Sequence, residues 1–159
     1  MNTRSAFFIL VILFFTSAAA HAQTAPAQPQ TFEARVEEYL RQSGEEFHKV
    51  KANSWYLMVD SKEMGRLRII LGAGPTSIAM GAVVVSKPNL RLSTDALEKL
   101  MKLSYDLNYV RICIDSDGDL LVMSQVKDPW LNAAEFRTTI SLVSSAADQA
   151  YAVMKPYLQ

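Results

Sequence analysis

Tyr-Val-Arg-Ile-Cys-Ile-Asp-Ser-Asp-Gly-Asp-Leu-Leu-Val-Met-Ser-Gln-Val-Lys, residues Tyr109 to Lys127, is a pair of apolar runs joined by an acidic turn. Val110, Ile112 and Ile114 recur at every second place, the period of a strand with one buried face. Asp117-Gly118 supplies the positive-φ residue that a tight hairpin turn needs. The stretch is predicted to be a β-hairpin. Helical patterns lie on both sides of it, so the chain is predicted to be a small α+β domain on an antiparallel sheet.

Upstream, three more strand-like runs are expected at about Ser54 to Asp60, Arg66 to Leu71 and Ser77 to Ser86. The breaks between them, Ser61 to Gly65 and Gly72 to Thr76, are short enough for hairpin connections, which makes the three a meander. In the third run Ile78, Met80, Ala82 and Val84 share a face, and Pro88-Asn89 ends it. With the hairpin this predicts a five-stranded antiparallel sheet with helices, in the order α-β-β-β-α-β-β-α.

The helices announce themselves by caps. Thr31 can cap Phe32 to Gln42, where Phe32, Val36, Tyr39 and Leu40 form a stripe and Ser43-Gly44 stops it. Ser93 can cap a second helix to about Leu107, with Leu92 and Leu97 spaced as a hydrophobic staple and Ala96, Leu100, Leu103 and Leu107 inward. After the turn Asp128-Pro129-Trp130, Asn132 can cap the last helix, with Glu135 in the capping-box position. From there Ala133, Phe136, Ile140, Val143, Ala147, Ala150, Met154 and Tyr157 make a continuous narrow seam. Its own sheet is the expected partner of that seam; a second copy of the chain, giving a homodimer, is the other use such a seam has.

The N-terminus reads as an address. Met1 to Arg4 is a short cationic start, Phe7 to Phe15 is an unbroken apolar run, and Ala20-His21-Ala22 fits the small-x-small pattern of signal peptidase. The apolar run is short against the ~20 residues of a membrane span. We therefore expect a signal peptide over 1–22, a flexible proline-bearing linker over 23–30 and a single α+β domain over 31–158. The mature chain is then exported, periplasmic or secreted from a bacterium, without a stable membrane anchor.

Composition narrows the chemistry. The chain has 159 residues, half of them hydrophobic, enough for one domain with a proper core. Its 16 basic and 16 acidic residues balance, and loss of Arg4 with the leader leaves the mature chain slightly negative. Nucleic-acid binding draws on clustered Lys and Arg, and there is no basic stripe.

Reactive groups are scarce. His21 leaves with the leader, so His48 and Cys113 stand alone of their kinds. Zinc sites draw three or four ligands from such residues, so no metal site is expected. A hydrolase would need a presented serine, and no Gly-x-Ser-x-Gly turn occurs. Cys113 sits mid-strand without a cationic partner close in sequence, the setting of a structural thiol. Asp115-Ser116-Asp117-Gly118-Asp119 has glycine fourth rather than sixth, and its twelfth place holds Val126, so the EF-hand spacing fails and a solvated turn is expected. Gly72 and Gly74 precede another strand rather than a helix and mark a turn. Paired carboxylates such as Glu37-Glu38 and Glu45-Glu46 read as a solvated face. No catalytic residue and no cofactor is expected.

Trp55, Tyr56, Trp130 and Tyr157 are the candidate binding residues, since large aromatics gathered at an open sheet face or groove suit an extended peptide. Three functions stay open: an exported binding module, an accessory subunit of an envelope complex with the last seam as its interface, and a small periplasmic enzyme.

The run Ala96 to Asn108, the hairpin Tyr109 to Leu120 and the downstream Leu131-Asn132-Ala133-Ala134-Glu135-Phe136 resemble the YbjN family, which shares its fold with the type III secretion chaperones. The likeness spans about Thr31 to Leu158. It implies a non-enzymatic, chaperone-like or regulatory domain that binds an unidentified protein or peptide, often as a dimer, and it offers no catalytic residues. The export signal sets this chain apart from the secretion chaperones, which are cytoplasmic.

Overall fold

The computed structural model describes residues 31–158; the leader and the linker expected before them lie outside the described residues. The elements run α1 (Phe32–Ser43), β1 (Glu46–Lys51), β2 (Ser54–Ser61), β3 (Gly65–Ala73), β4 (Ser77–Val85), α2 (Thr94–Asp106), β5 (Arg111–Ile114), β6 (Leu120–Lys127) and α3 (Ala133–Met154). Short 3-10 turns at Lys87–Asn89, Asp128–Trp130 and Lys155–Tyr157 each carry a proline near their start.

All pairings are antiparallel, and the sheet order is β1-β2-β3-β4-β6-β5. The sheet thus has six strands, where the sequence predicts five. The additional strand is β1, Glu-Phe-His-Lys-Val-Lys, whose inward positions are only half apolar. Phe47 faces the helices, but the next inward residue is Lys49, which pairs with Glu33 (2.8 Å) and Glu37 (2.7 Å) of α1. Charges along an outer strand also discourage pairing with other chains.

On β2, β3, β4 and β6 alternate residues are buried: Trp55, Leu57 and Val59; Leu67, Ile69 and Leu71; Ile78, Met80, Ala82 and Val84; Leu120, Val122 and Val126. These meet the helices, and α3 lies centrally, touching β4, β6, α1 and α2. Phe136, Ile140, Val143, Ala147, Ala150 and Met154 of the expected seam are buried there, which assigns the seam to the chain's own sheet. At ~25 cal/mol per Å² of apolar surface, one such stripe is a leading stabilising term for the domain.

The caps form as expected. Thr31 Oγ1 accepts the Ala34 N–H, Ser93 Oγ that of Ala96, and Asn132 Oδ1 those of Ala134 and Glu135. Gly44 ends α1 at φ +80°. The Leu92–Leu97 staple is not buried; both side chains remain more than two-fifths exposed. In the hairpin, Gly118 takes φ +90°. Asp115 Oδ1 accepts the N–H groups of Asp117 and Asp119, and Asp119 Oδ1 accepts that of Lys87 at 2.7 Å. These carboxylates are thus engaged in building the turn.

Candidate functional site

The helices cover one face of the sheet, and among the described residues the other face is open. Across it, His48, Tyr56, Ile70, Gly81, Met123 and Arg111 stand in one row through the successive pairings of all six strands. The β1–β3 half of this face is aromatic and charged. His48 stacks on Tyr56 with ring centroids 4.8 Å apart, and the Arg68 guanidinium lies over the same Tyr56 ring at 4.8 Å. Glu46 accepts from His48 and Arg66, each at 3.1 Å, and those two hydrogen bonds, His48 first, hold its carboxyl below the usual range.

The other half is apolar and concave. A trough of about 480 Å³ runs along β4, with Ala79 and Gly81 as floor, Ile70 on one wall, Leu121 and Met123 on the other, and Val83 and Cys113 at one end. Glycine makes the floor deep. A Cβ on Gly81 would stand 3.1 Å from the Val122 carbonyl oxygen, so a larger residue would both fill the trough and press on backbone. Val83 and Ile70, on neighbouring strands, are 36% and 49% exposed, and with the rest of the lining they form one apolar patch.

Met123 is also a wall of a neighbouring notch, lined by Tyr109, Arg111, Gln125, Lys127 and Trp130. Tyr109, in the left-handed region at φ +63°, is held by its carbonyl, which accepts from the Ser124 hydroxyl at 2.7 Å. That backbone break ends the β5 pairing at Arg111, so β6 beyond Met123 has no strand on this side.

The four aromatics singled out in the sequence do not come together. Trp55 is fully buried on the helix side, with Lys49 Nζ 5.8 Å from its ring centroid. The alternation of β2 that turns Tyr56 outward turns Trp55 inward, so the indole belongs to the core and is removed from the binding set. Its Nε1 has no hydrogen-bond partner. Tyr56 is on the open face. Trp130, 67% exposed, stands at the notch with Lys127 Nζ 5.7 Å from its ring. Tyr157 lies in the helical layer, its hydroxyl bonded to Asp95 and Lys99 of α2.

The residues that do build the trough went unmarked in the sequence, yet they left a signal. Ser-Ile-Ala-Met-Gly-Ala-Val-Val-Val in β4 is apolar at both parities, the pattern of a strand covered on both faces. Helices cover only one.

His48 and Cys113 sit on the two outer strands, with four strands between them. Burial pushes the Cys113 thiol up, against the weaker opposing pull of Arg111. Among the described residues there is no grouping of three or more metal-ligating side chains, and no helix is long and apolar enough to cross a membrane.

A second apolar surface lies on α2. Leu97, Met101 and Tyr105 recur every four residues on its outer side and are 49%, 63% and 89% exposed.

No protein-family model and no curated protein sequence matches the chain. Solved structures do. A chain of the heterodimeric ExoU-SpcU complex from the type III secretion system of Pseudomonas aeruginosa matches with TM-score 0.57 and 10% identity, over 76% of this chain and 98% of that one. The ExsC-ExsE complex matches with TM-score 0.55 and 13% identity, over 77% and 96%. YbjN from E. coli matches with TM-score 0.55 and 15% identity, over 77% and 91%. The fold is therefore that of the secretion chaperones and YbjN, as the hairpin and its flanking helices led us to expect.

Proposed function

We propose that the chain is a non-enzymatic binding module that receives an apolar segment of a protein or peptide on the open face of its sheet. The observation that carries this reading is the trough along β4, an apolar surface on the sheet face that no described helix covers, with a floor of Ala79 and Gly81. The fold supports it, since two of the similar structures are complexes between proteins. Separation of the one described histidine, His48, and the one cysteine, Cys113, to opposite sheet edges supports a surface that binds rather than one that reacts.

The test is calorimetric titration of the purified protein with an unstructured peptide of apolar core, wild type against Leu121→Glu. Leu121 lines the trough and is only partly buried, so the variant should keep its melting temperature. A loss of affinity of at least about tenfold is expected from placing a desolvated charge there. Unchanged affinity in a folded variant would send the binding site elsewhere.

We also propose that the module works outside the cytoplasm, on the strength of the cationic start, the apolar run and Ala20-His21-Ala22. Intact mass of the protein recovered from fractionated cells should place its first residue at Gln23. A chain that retains Met1 in the cytoplasmic fraction would end that proposal.

The stripe of Leu97, Met101 and Tyr105 favours a second use of the surface, pairing with another copy or with a complex subunit through α2. Sedimentation of the wild type against Met101→Glu tests it: a dimer that becomes a monomer supports the reading, and a monomer in both cases rejects self-association.

A further inference from the structure

We infer that the occupant of the trough is an amphipathic α-helix of a partner protein, lying along β4 with its N-terminal end at Asp115. This rests on the trough being the binding site and adds the form and the direction of what it receives.

The trough has no main chain to offer. β4 is paired with β3 from Ile78 to Gly81 and with β6 from Ser77 to Val85. Where the β3 pairing stops, Ala82, Val84 and Val85 are 5% exposed or less, so the freed edge is covered. Beyond the Cys113 thiol and the Asp115 carboxylate, the lining presents no polar side chain. An extended segment laid there would point its N–H and C=O groups sideways into aliphatic walls, and main chain desolvated without partners is costly. A helix satisfies its own. The trough is also open to solvent along its outer side, so a fitting occupant brings a polar back. The helical period puts apolar and polar residues on opposite sides of one element, whereas an alkyl chain has no such second face.

Depth and length suit the same form. Ala79 and Gly81 leave the floor almost without side chains, so leucine-sized groups of a helix reach the sheet between Ile70 and the wall of Leu121 and Met123. Ala79 to Val83 spans ~13 Å at ~3.3 Å per residue, and Asp115 lies two residues beyond Cys113, the ladder neighbour of Leu121. The whole is ~20 Å, the length of about 13 helical residues.

Direction follows from charge. Among the described residues, Asp115 is the one charged group in the lining; Arg111 stands outside it, and Arg68 is turned away over Tyr56. Asp115 Oδ1 accepts the N–H groups of Asp117 and Asp119, which leaves Oδ2 without a partner among the described residues. The first turn of a helix carries unpaired N–H groups and the positive end of the dipole, so it is the end that gains at a carboxylate. A second copy does not supply this helix. The exposed stripe of α2, Leu97, Met101 and Tyr105, has the spacing, but Asp95 and Glu98 lie at one end of it and Asp106 at the other, so either direction brings an acid to Asp115.

The experiment compares two peptides of about 15 residues and one composition, leucine, alanine, glutamine and lysine, titrated calorimetrically into the purified protein. In one the leucines follow the three- and four-residue steps of a helix face; in its isomer they fall at every second place. The helical pattern should bind at least about tenfold tighter than the isomer and gain helical far-ultraviolet dichroism on binding. Leu121→Glu should abolish that binding at unchanged melting temperature. Asp115→Asn keeps Oδ1 for the turn, removes the charge and should weaken the helical peptide about threefold. For direction, the helical peptide carries one cysteine at either end as a mixed disulfide with thionitrobenzoate, which the Cys113 thiolate displaces at mildly alkaline pH. Release should be at least about tenfold faster from the N-terminal version, whose sulfur lies at the Cys113 end of the floor.

An isomer that binds as tightly as the helical pattern, or binding of the latter without gain of helix, would overturn the inference and leave the apolar trough standing. Binding of neither would overturn both. Binding of the helical peptide that Leu121→Glu leaves intact would place the helix elsewhere on the domain and overturn it too. Faster release from the C-terminal version, or no loss in Asp115→Asn, would overturn the direction. A dimer dissociated by Val83→Glu would assign the trough to a second copy instead.

Discussion

Gly81 stands directly across from Met123 in the β4–β6 ladder, and a Cβ on Gly81 would approach that of Met123 to 3.3 Å. Few side chains meet so closely, so a methyl fits there only if Met123 and the Val122 carbonyl give by a few tenths of an ångström. Gly81→Ala gains a little from the stiffer unfolded chain, ~0.5 kcal/mol, but crowds the Val122 carbonyl, which costs more. We expect a net loss of about 1 kcal/mol in urea unfolding. Affinity for an apolar peptide should fall in the same variant, because the added methyl sits on the floor. Retained affinity with lowered stability would show that the floor is structural and that the ligand lies elsewhere.

Trp55 illustrates a different balance. Its ring is wholly buried while its Nε1 finds no acceptor, a defect that costs ~1–3 kcal/mol. Trp55→Phe removes that donor together with part of the ring, so relief and cavity oppose one another and the change in stability should stay within about 1 kcal/mol. Trp55→Ala keeps only the loss and should cost ~3–5 kcal/mol. Denaturation midpoints of the two variants check this. Equal damage from both would mean that the indole N–H has a partner, such as a buried water, in solution.

The parts of the fold that were legible in the sequence are those decided by neighbours in the chain. Thr31, Ser93 and Asn132 cap within three residues of themselves, and Gly44 and Gly118 take the left-handed conformation that their turns demand. β1 was not legible because Lys49 faces inward only by virtue of Glu33 and Glu37 on α1, an arrangement no strand period reveals. Ala52-Asn53, a two-residue loop with Asn53 at φ +56°, was the local clue. Trp55 and Tyr56 show the limit for the site. Consecutive strand residues face opposite ways, and both parities of β2, Trp55-Leu57-Val59 and Tyr56-Met58-Asp60, begin with an aromatic. Which set meets the helices is settled by packing, and with it which ring is left for a ligand.

Asp148 ties α3 to the turn between β2 and β3. Its carboxylate accepts from the Ser61 hydroxyl and from the N–H groups of Lys62 (3.1 Å) and Glu63 (3.2 Å). Burial pushes this carboxyl up, but the bonds from Ser61, Glu63 and Lys62 together outweigh it and hold it below its ordinary value near 3.8. A carboxyl depressed by folding stabilises the folded state above the unfolded value and loses that contribution as pH falls through the folded one. The wild type should therefore lose stability below about pH 4 by a step that Asp148→Asn lacks. At neutral pH Asp148→Ala should cost ~2 kcal/mol, with part of the bond strength lost to solvent because the site is near the surface. Urea midpoints from neutral pH down to about pH 3 for the three proteins measure the step; parallel curves would remove Asp148 as its source.

Cys113 offers a reporter inside the trough. It is partly buried at the Val83 end, and its thiol is pushed up by burial, so little thiolate exists at neutral pH. Alkylation by N-ethylmaleimide should be slow at neutral pH and should quicken about tenfold per unit as pH rises towards the thiol's range, because the thiolate is the reacting species. A ligand lying along β4 passes over that end of the floor. Saturating apolar peptide should then slow alkylation of the native protein by at least about tenfold, as expected when access requires the ligand to leave. The reaction of the urea-unfolded chain should be unaffected. Binding without protection of Cys113 would move the ligand off the Val83 end, towards the notch of Tyr109 and Trp130.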